Sequence, residues 1–234
     1  MITPFEKKPL KTEACLLARC QTIEGLTFAQ LASLIGWRIP DNPLQRKGFA
    51  GQMIEQALGT TAGNQSAPDF LELGIELKTI PLNHLGRPAE STFVTTISLL
   101  TVHQERWETS HCFSKLKRVL WIPIEGDTNI PFPSRRIGSA ILWSPCCAEE
   151  GILKQDWLEL TLMIGTGKLS SINATMGEYL QVRPKGANAK SLCNGFDEEG
   201  NIIQTLPRGF YLRSRFTTRI IECALGEKIK SPKI

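Results

Sequence analysis

The chain has 234 residues, 41% apolar and 21% charged, with a net charge of +4; that suits one large soluble domain or two small lobes, and permits a nucleic-acid partner without demanding one. No apolar run reaches the roughly 18–20 residues of a membrane span, and residues 1–9 carry lysines with no long apolar stretch behind them, which excludes a secretory signal. Seven cysteines and three histidines (His84, His103, His111) make no Cys-x-x-Cys or zinc spacing, so reduced thiols in a cytoplasmic protein are expected.

Thr12 is placed to cap a helix over residues 13–20, and Thr27 a second over 28–35 that stops at Gly36. Phe28, Leu31, Leu34 and Ile35 share one face of the second. After a break between Pro40 and Pro43, the spacing predicts a helix over 48–58, with Phe49, Met53, Ile54, Ala57 and Leu58 inward and Gly59 at its end. Glu55 interrupts that stripe. A helix glutamate is usually solvated, but this one precedes an acidic motif closely enough to be a candidate third carboxylate. Arg46-Lys47-Gly48, at the helix start, can hold a phosphate through charge and backbone amides. Residues 60–67 read as a loop leading into the site.

The stretch that follows carries the chemistry. Residues 75–80 alternate, placing Ile75, Leu77 and Thr79 on one strand face and Glu76, Lys78 and Ile80 on the other. Pro68-Asp69 lies upstream, and Gly74 permits a sharp bend between the two. Asp69 can therefore fold back beside Glu76. Two carboxylates with one open edge form a hard oxygen site suited to Mg²⁺, which Mn²⁺ or Ca²⁺ can also occupy. The Leu77 carbonyl can add to it, and Lys78 can orient a water or stabilise charge on a phosphate. A Glu-x-Lys pair alone is common on solvated strands; the Pro-Asp at this distance makes the pattern that of Pro-Asp…Glu-x-Lys nucleases.

Downstream, residues 92–100 read as an interior strand, 111–116 as a helix capped by Thr109 or Ser110, 118–124 as a strand and 137–143 as another. Lys115, Lys117 and Arg118 form a basic set, either a solvated helix end or a phosphate contact. Residues 149–164 make an amphipathic helix with Leu153, Trp157, Leu160, Leu162 and Met163 inward. Gly165-Thr166-Gly167-Lys168 fails as a phosphate loop, because Leu169 and Leu162 stand where Ser/Thr and the first glycine belong. A strand over 178–182 runs into Arg183-Pro184-Lys185-Gly186, the start of a loop over 183–190 with the character of a base-reading surface. Residues 194–201 read as a hairpin or mobile loop. Residues 207–215 hold a second basic-aromatic segment around Tyr211, with Arg208 and Arg213 expected on phosphates. A helix over 218–225 precedes a fraying basic tail.

Asp69…Glu76-Leu77-Lys78-Thr79-Ile80-Pro81, Trp107-Glu108-Thr109-Ser110-His111, residues 115–123, residues 178–185 and residues 206–212 together resemble the MutH family of mismatch-repair endonucleases, within the Pro-Asp…Asp/Glu-x-Lys superfamily. The resemblance spans nearly the whole chain; the two ends and residues 193–203 depart from it. It implies a restriction-endonuclease-like α/β fold, a mixed sheet flanked by helices in one domain of two lobes that clamp duplex DNA. The metal site would lie within about 45–80, and the DNA-reading segments within 183–190 and 207–215. The implied activity is Mg²⁺-dependent nicking of the unmethylated strand 5′ to the G of GATC in hemimethylated DNA. MutL would activate a monomeric enzyme directly, and MutS through MutL with ATP. Asp69, Glu76, Lys78, Glu55 and Lys115 match catalytic positions of the family. Lys47, Gly48, Arg183, Pro184, Lys185, Gly186 and Tyr211 match DNA-binding ones, with Tyr211 near the adenine whose methylation is sensed. A double-strand-cutting restriction enzyme and a non-catalytic DNA-binding module are the alternatives; the first would linearise a plasmid that this family nicks, and the second has no use for paired carboxylates.

Overall fold

A computed structural model describes residues 10–60, 67–186 and 191–230. Its helices, in chain order, are α1 (Glu13–Ile23), α2 (Phe28–Leu34), α3 (Phe49–Leu58), α4 (His111–Ser114), α5 (Cys147–Gly165) and α6 (Ser214–Lys230). The strands are β1 (Glu76–Leu82), β2 (Thr92–Thr96), β3 (Val119–Glu125), β4 (Ile141–Trp143), β5 (Leu180–Pro184), β6 (Cys193–Phe196), β7 (Ile202–Thr205) and β8 (Arg208–Leu212). This is the expected mixed α/β composition. The chain divides into two compact units. One comprises the chain up to Ala89 with Arg118–Trp143, and the other comprises Glu90–Lys117 with the chain from Ser144 onward.

Local chemistry sets the ends of the helices in the first unit. Thr12 accepts the Cys15 amide, and Thr27 with Gln30 completes a capping box at α2. Helix α3 ends at Gly59, whose φ of 74° is left-handed; glycine meets that requirement without strain. Met53, Ile54, Ala57 and Leu58 of α3 are fully buried against β1 and helices α1 and α2. Each large apolar side chain buried this way contributes about 1.5–3 kcal/mol. Strand β1 pairs in parallel with β3, which pairs antiparallel with β4. Because β3 is central, all of its residues from Val119 to Ile124 are buried.

In the second unit β8 lies between β2 and β5, antiparallel to both. Phe210 and Leu212 face the core, as do Leu180 and Val182 of β5 and Val94 of β2. Ser110 caps α4 by accepting the Phe113 amide. The pair β6–β7 forms a hairpin, one of the two forms the sequence allowed near 194–201.

Several boundaries differ from the sequence expectation. Strand β2 stops at Thr96 and is an edge strand, not an interior one, because it pairs with β8 on one side only; its register shifts between Phe93 and Thr95. Strand β5 runs on through Arg183 and Pro184, since both pair with β8. Leu34 and Leu162, expected inward, are 51% and 66% exposed, so the apolar stripes of α2 and α5 are narrower than composition suggests. Helix α6 starts at Ser214 and continues to Lys230, through residues read as a frayed tail. The segment after α5 is the expected helix-ending turn, with Gly167 at φ 74°. Residues 1–9, 61–66 of the predicted loop, 187–190 of the predicted DNA-reading segment and 231–234 lie outside the described residues.

Candidate nuclease site and DNA-reading surface

Residues 69–76 build the first half of the site in one tight turn. Phe70 and Ile75 bridge each other, their amides donating to each other's carbonyls at 2.9 and 3.3 Å, and Gly74 supplies a φ of 64°. The turn returns the chain on itself, and the Asp69 carboxylate accepts the Leu77 amide at 2.8 Å. Strand alternation then puts Glu76 and Lys78 on one face, where the Lys78 ammonium donates to Glu76 Oε1 at 2.7 Å. Glu76 is 3% exposed and the Lys78 side chain 18%.

Helix α3 brings Glu55 to the same place. Gly51, one turn before Glu55, faces β1: a Cβ on Gly51 would lie in ordinary contact, 3.5 Å from Thr79 Oγ1 and 4.0 Å from Glu55 Oε1. The Glu55 side chain is exposed overall, yet enough protein crowds its carboxyl for burial to raise its pKa. Lys78 opposes that rise and Glu76 adds to it. The structure thus gathers Asp69, Glu76, Leu77, Lys78 and Glu55 in the first unit. The Leu77 amide faces Asp69, a contact the sequence did not suggest.

The donor set fits Mg²⁺. Among the described residues no three His, Cys, Asp or Glu side chains form a cage that could hold a metal, so Asp69, Glu76 and Glu55 are not assembled as a closed site; Asp69 is turned to the Leu77 amide and Glu76 to Lys78. Mg²⁺ ordinarily takes one or two carboxylates and completes its shell with water and substrate phosphate. Two hard carboxylates on one turn meet that need.

Other predicted site residues fall elsewhere. Lys47 is exposed, between a short 3₁₀ turn and α3, and Gly48 is the helix N-cap at φ 78°. Arg46, its expected companion, is turned back onto the Pro40 and Asp41 carbonyls. Lys115 caps the C-terminus of α4, half-buried, in the second unit. Arg118, for which the sequence left a solvated helix end or a phosphate contact open, makes a two-pronged ion pair with Glu13 at 2.9 and 2.6 Å and ties α1 to the start of β3.

The second unit carries Arg183, Lys185 and Tyr211, expected from the sequence to read DNA, on one sheet face. On β8, alternation buries Phe210 and leaves Tyr211 half-buried on the opposite side. Tyr211 pairs across the sheet with Phe93 and Gln181, its ring edge-on to Phe93 at 5.3 Å. Arg183 lies 6.0 Å from the Tyr211 ring centre and donates to Ser91 Oγ at 2.7 Å. Lys185 sits 3.9 Å over the Phe93 ring, a cation–π arrangement. Burial raises the Tyr211 pKa while Arg183 lowers it. Pro184 and Gly186 flank this cluster, both exposed. Arg213 does not reach out toward phosphate as expected; it donates to the carbonyls of Ala174, Met176 and Gly177. Arg208 likewise donates to the Leu169 carbonyl. Ser91 and Phe93 escaped the sequence reading, although Phe93 stands opposite Val94 in a strand alternation that marks it as off the core.

Residues 58–156 match the family model described as DNA mismatch repair enzyme MutH. The chain is 49% identical over 211 residues to the DNA mismatch repair protein MutH of Vibrio campbellii, covering 90% of this chain and 93% of that protein. It is 50% identical over 212 residues to the one from Pasteurella multocida (91% and 96% covered), and 49% identical over 213 residues to the one from Escherichia coli K12 (91% and 93% covered). With near-complete coverage at half identity, and with the Asp69 turn and the Glu76–Lys78 face in place, the chain belongs to the MutH family.

Proposed function

We propose that the chain is a Mg²⁺-dependent DNA endonuclease of mismatch repair that nicks the unmethylated strand 5′ to the G of GATC in hemimethylated duplex DNA. In this reading it acts as a cytoplasmic monomer that MutL activates, with MutS acting through MutL. The observation that carries the reading is the hydrogen bond from the Leu77 amide to Asp69, which folds the Pro-Asp element against Glu76 and Lys78.

The residues divide the work of phosphodiester hydrolysis. Asp69 and Glu76 would hold Mg²⁺, with the Leu77 carbonyl and Glu55 contributing at its edge. When bound there, the ion neutralises phosphate charge and makes water a better nucleophile. The Lys78 ammonium, aligned by Glu76, faces the developing phosphate charge and orients the attacking water. Glu55, its carboxyl raised by burial, accepts a proton more readily than a solvated glutamate at the same pH. Lys115 is assigned to the scissile phosphate, and Lys47 and Gly48 to a flanking one. Arg183, Lys185 and Tyr211 read the site, with Tyr211 against the adenine amino edge, where an added methyl has no room.

The test is a nicking assay on hemimethylated and fully methylated GATC duplexes with Mg²⁺ and MutL, alongside a supercoiled plasmid carrying one GATC. Nicked hemimethylated duplex, intact fully methylated duplex and nicked rather than linear plasmid are expected. Asp69→Ala and Glu76→Ala should lose nicking and keep DNA binding. Wild-type turnover in either variant refutes the site assignment, and a linear plasmid refutes the strand-specific reading.

A further inference from the structure

Helix α5 carries a carboxylate, Asp156, that is only 5% exposed and has no part in the hydrolytic chemistry. It accepts three successive backbone amides, from Glu178 at 2.8 Å, Tyr179 at 2.7 Å and Leu180 at 2.8 Å. These are the residues leading into β5. The turn before them closes only because residue 177 is glycine: at its φ of 78°, a Cβ would fall 1.9 Å from the Leu180 carbonyl oxygen. From the other side Arg213 grips the same turn through the carbonyls of residues 174, 176 and 177, and its own amide donates to the Tyr179 carbonyl at 2.9 Å.

We propose that Asp156 is a positioning residue for DNA recognition: by fixing the start of β5 it sets the register that places Arg183 and Lys185 beside Tyr211. The proposal rests on the DNA-reading role assigned to those three residues. The register runs Leu180 to Leu212, Gln181 to Tyr211 and Arg183 to Gly209, and continues in the Lys185 amide donating to the Pro207 carbonyl at 2.7 Å. Arg183 is only three residues, about 10 Å, along the strand from the last amide that Asp156 holds. A slip of one residue would turn Arg183 toward the core side now filled by Val182. A carboxylate suits this role because both oxygens accept. An asparagine offers one acceptor oxygen and presents its NH₂ to an amide.

The test compares the full-length wild type, Asp156→Asn and Asp156→Glu. Fluorescence anisotropy measures binding to a labelled duplex with one hemimethylated GATC and to the same duplex with the site scrambled, with Ca²⁺ in place of Mg²⁺. Asp156→Asn should lose about tenfold to hundredfold of the preference for GATC, the scale of a misplaced base contact. Its affinity for the scrambled duplex, which rests on phosphate charge, should change less than about threefold. Asp156→Glu should restore part of the preference. A purely structural role would lower the melting temperature and the binding-competent fraction, and so scale both duplexes equally; that outcome, or a retained preference, overturns the assignment. Should Asp156→Asn not fold, hydrogen exchange in the wild type decides. The amides of residues 178–180 should exchange as slowly as the β5–β8 ladder and slow further with the GATC duplex, and fast exchange overturns the proposal. A wild type with no preference for GATC refutes the DNA-reading role itself. A wild-type preference that survives in Asp156→Asn refutes only the role of Asp156.

Discussion

Replacing Gly209 by alanine should damage the face proposed to read DNA without touching any charged residue. Gly209 does not have a positive φ, so alanine meets no backbone penalty there, and the whole cost comes from its neighbours. The added Cβ would lie 2.9 Å from Phe93 Cε2, 3.4 Å from Phe93 Cδ2 and 3.0 Å from the Thr95 carbonyl oxygen. Unstrained carbon contacts lie at about 3.5–4.0 Å, so the ring must move by roughly half an ångström or more. It is not free to do so: Tyr211 stands edge-on to it at 5.3 Å and Lys185 covers its face at 3.9 Å. Overpacking of this kind costs about 1–3 kcal/mol. Guanidinium unfolding should show that loss as a lower midpoint at unchanged slope, and binding to a GATC duplex should weaken as Lys185 and Tyr211 shift. Phe93→Leu removes the offending ring edge, so in a double-mutant cycle the two changes should couple favourably by about 0.5–2 kcal/mol, the Thr95 contact remaining. A Gly209→Ala protein of native stability, or a cost that Phe93→Leu leaves intact, would show that the ring does not hold this face in place.

Two further outcomes follow from the site. Tyr211→Ser should narrow the preference for unmethylated over methylated GATC by about 1–3 kcal/mol in single-turnover nicking, whereas Lys78→Ala should slow both substrates alike; an unchanged methylation ratio in folded Tyr211→Ser protein removes Tyr211 as the sensor. Glu55→Gln should stabilise the protein near neutral pH. Burial raises the Glu55 pKa in the folded state, so its ionised form disfavours folding above that pKa, while below the unfolded value of about 4.3 the effect is absent. Thermal melts across that range should show a gain that fades with acid, and a gain that grows with acid contradicts the sign.

The parts of the site legible in the sequence were those governed by short-range rules. The Gly74 turn, the Glu76–Lys78 face and the division of Phe210 from Tyr211 each follow from a glycine or from strand alternation over a few residues. Thr27 and Gly59 marked helix ends for the same reason. What escaped depends on partners far along the chain. Arg118 reads as a solvated helix end or a phosphate contact until Glu13, 105 residues away, is brought beside it. Arg213 and Asp156 are distinguished from solvated charges only by the backbone groups 36 and 22 residues away that they hold. The overlong reading of β2 failed because apolar and β-branched composition continues past Thr96, while the end of its pairing with β8 does not show in composition.

The charges of the first unit sort into two kinds by what satisfies them. The ion pair of Arg118 with Glu13 joins elements and is half open to water, with side-chain exposures of 32% and 44%; its role is explained once the fold is known. Glu76 and Lys78 are different. They neighbour each other on one strand, and the backbone pairing of Glu76 with Val119 and Lys78 with Trp121 would form with apolar residues in their place. At 4% and 18% side-chain exposure, desolvation of such a pair roughly offsets its attraction, so replacing both by apolar residues of similar size is often neutral or stabilising. Glu55, exposed overall on α3, adds a carboxyl whose ionised form burial disfavours. Asp69 closes the group by turning its carboxylate onto the strand itself. Four ionisable groups therefore lie in or beside β1. Perturbed charges gathered at one place are a pointer to function rather than to folding, and these lie around β1, the place that the proposed function gives to the phosphate and its counter-ion.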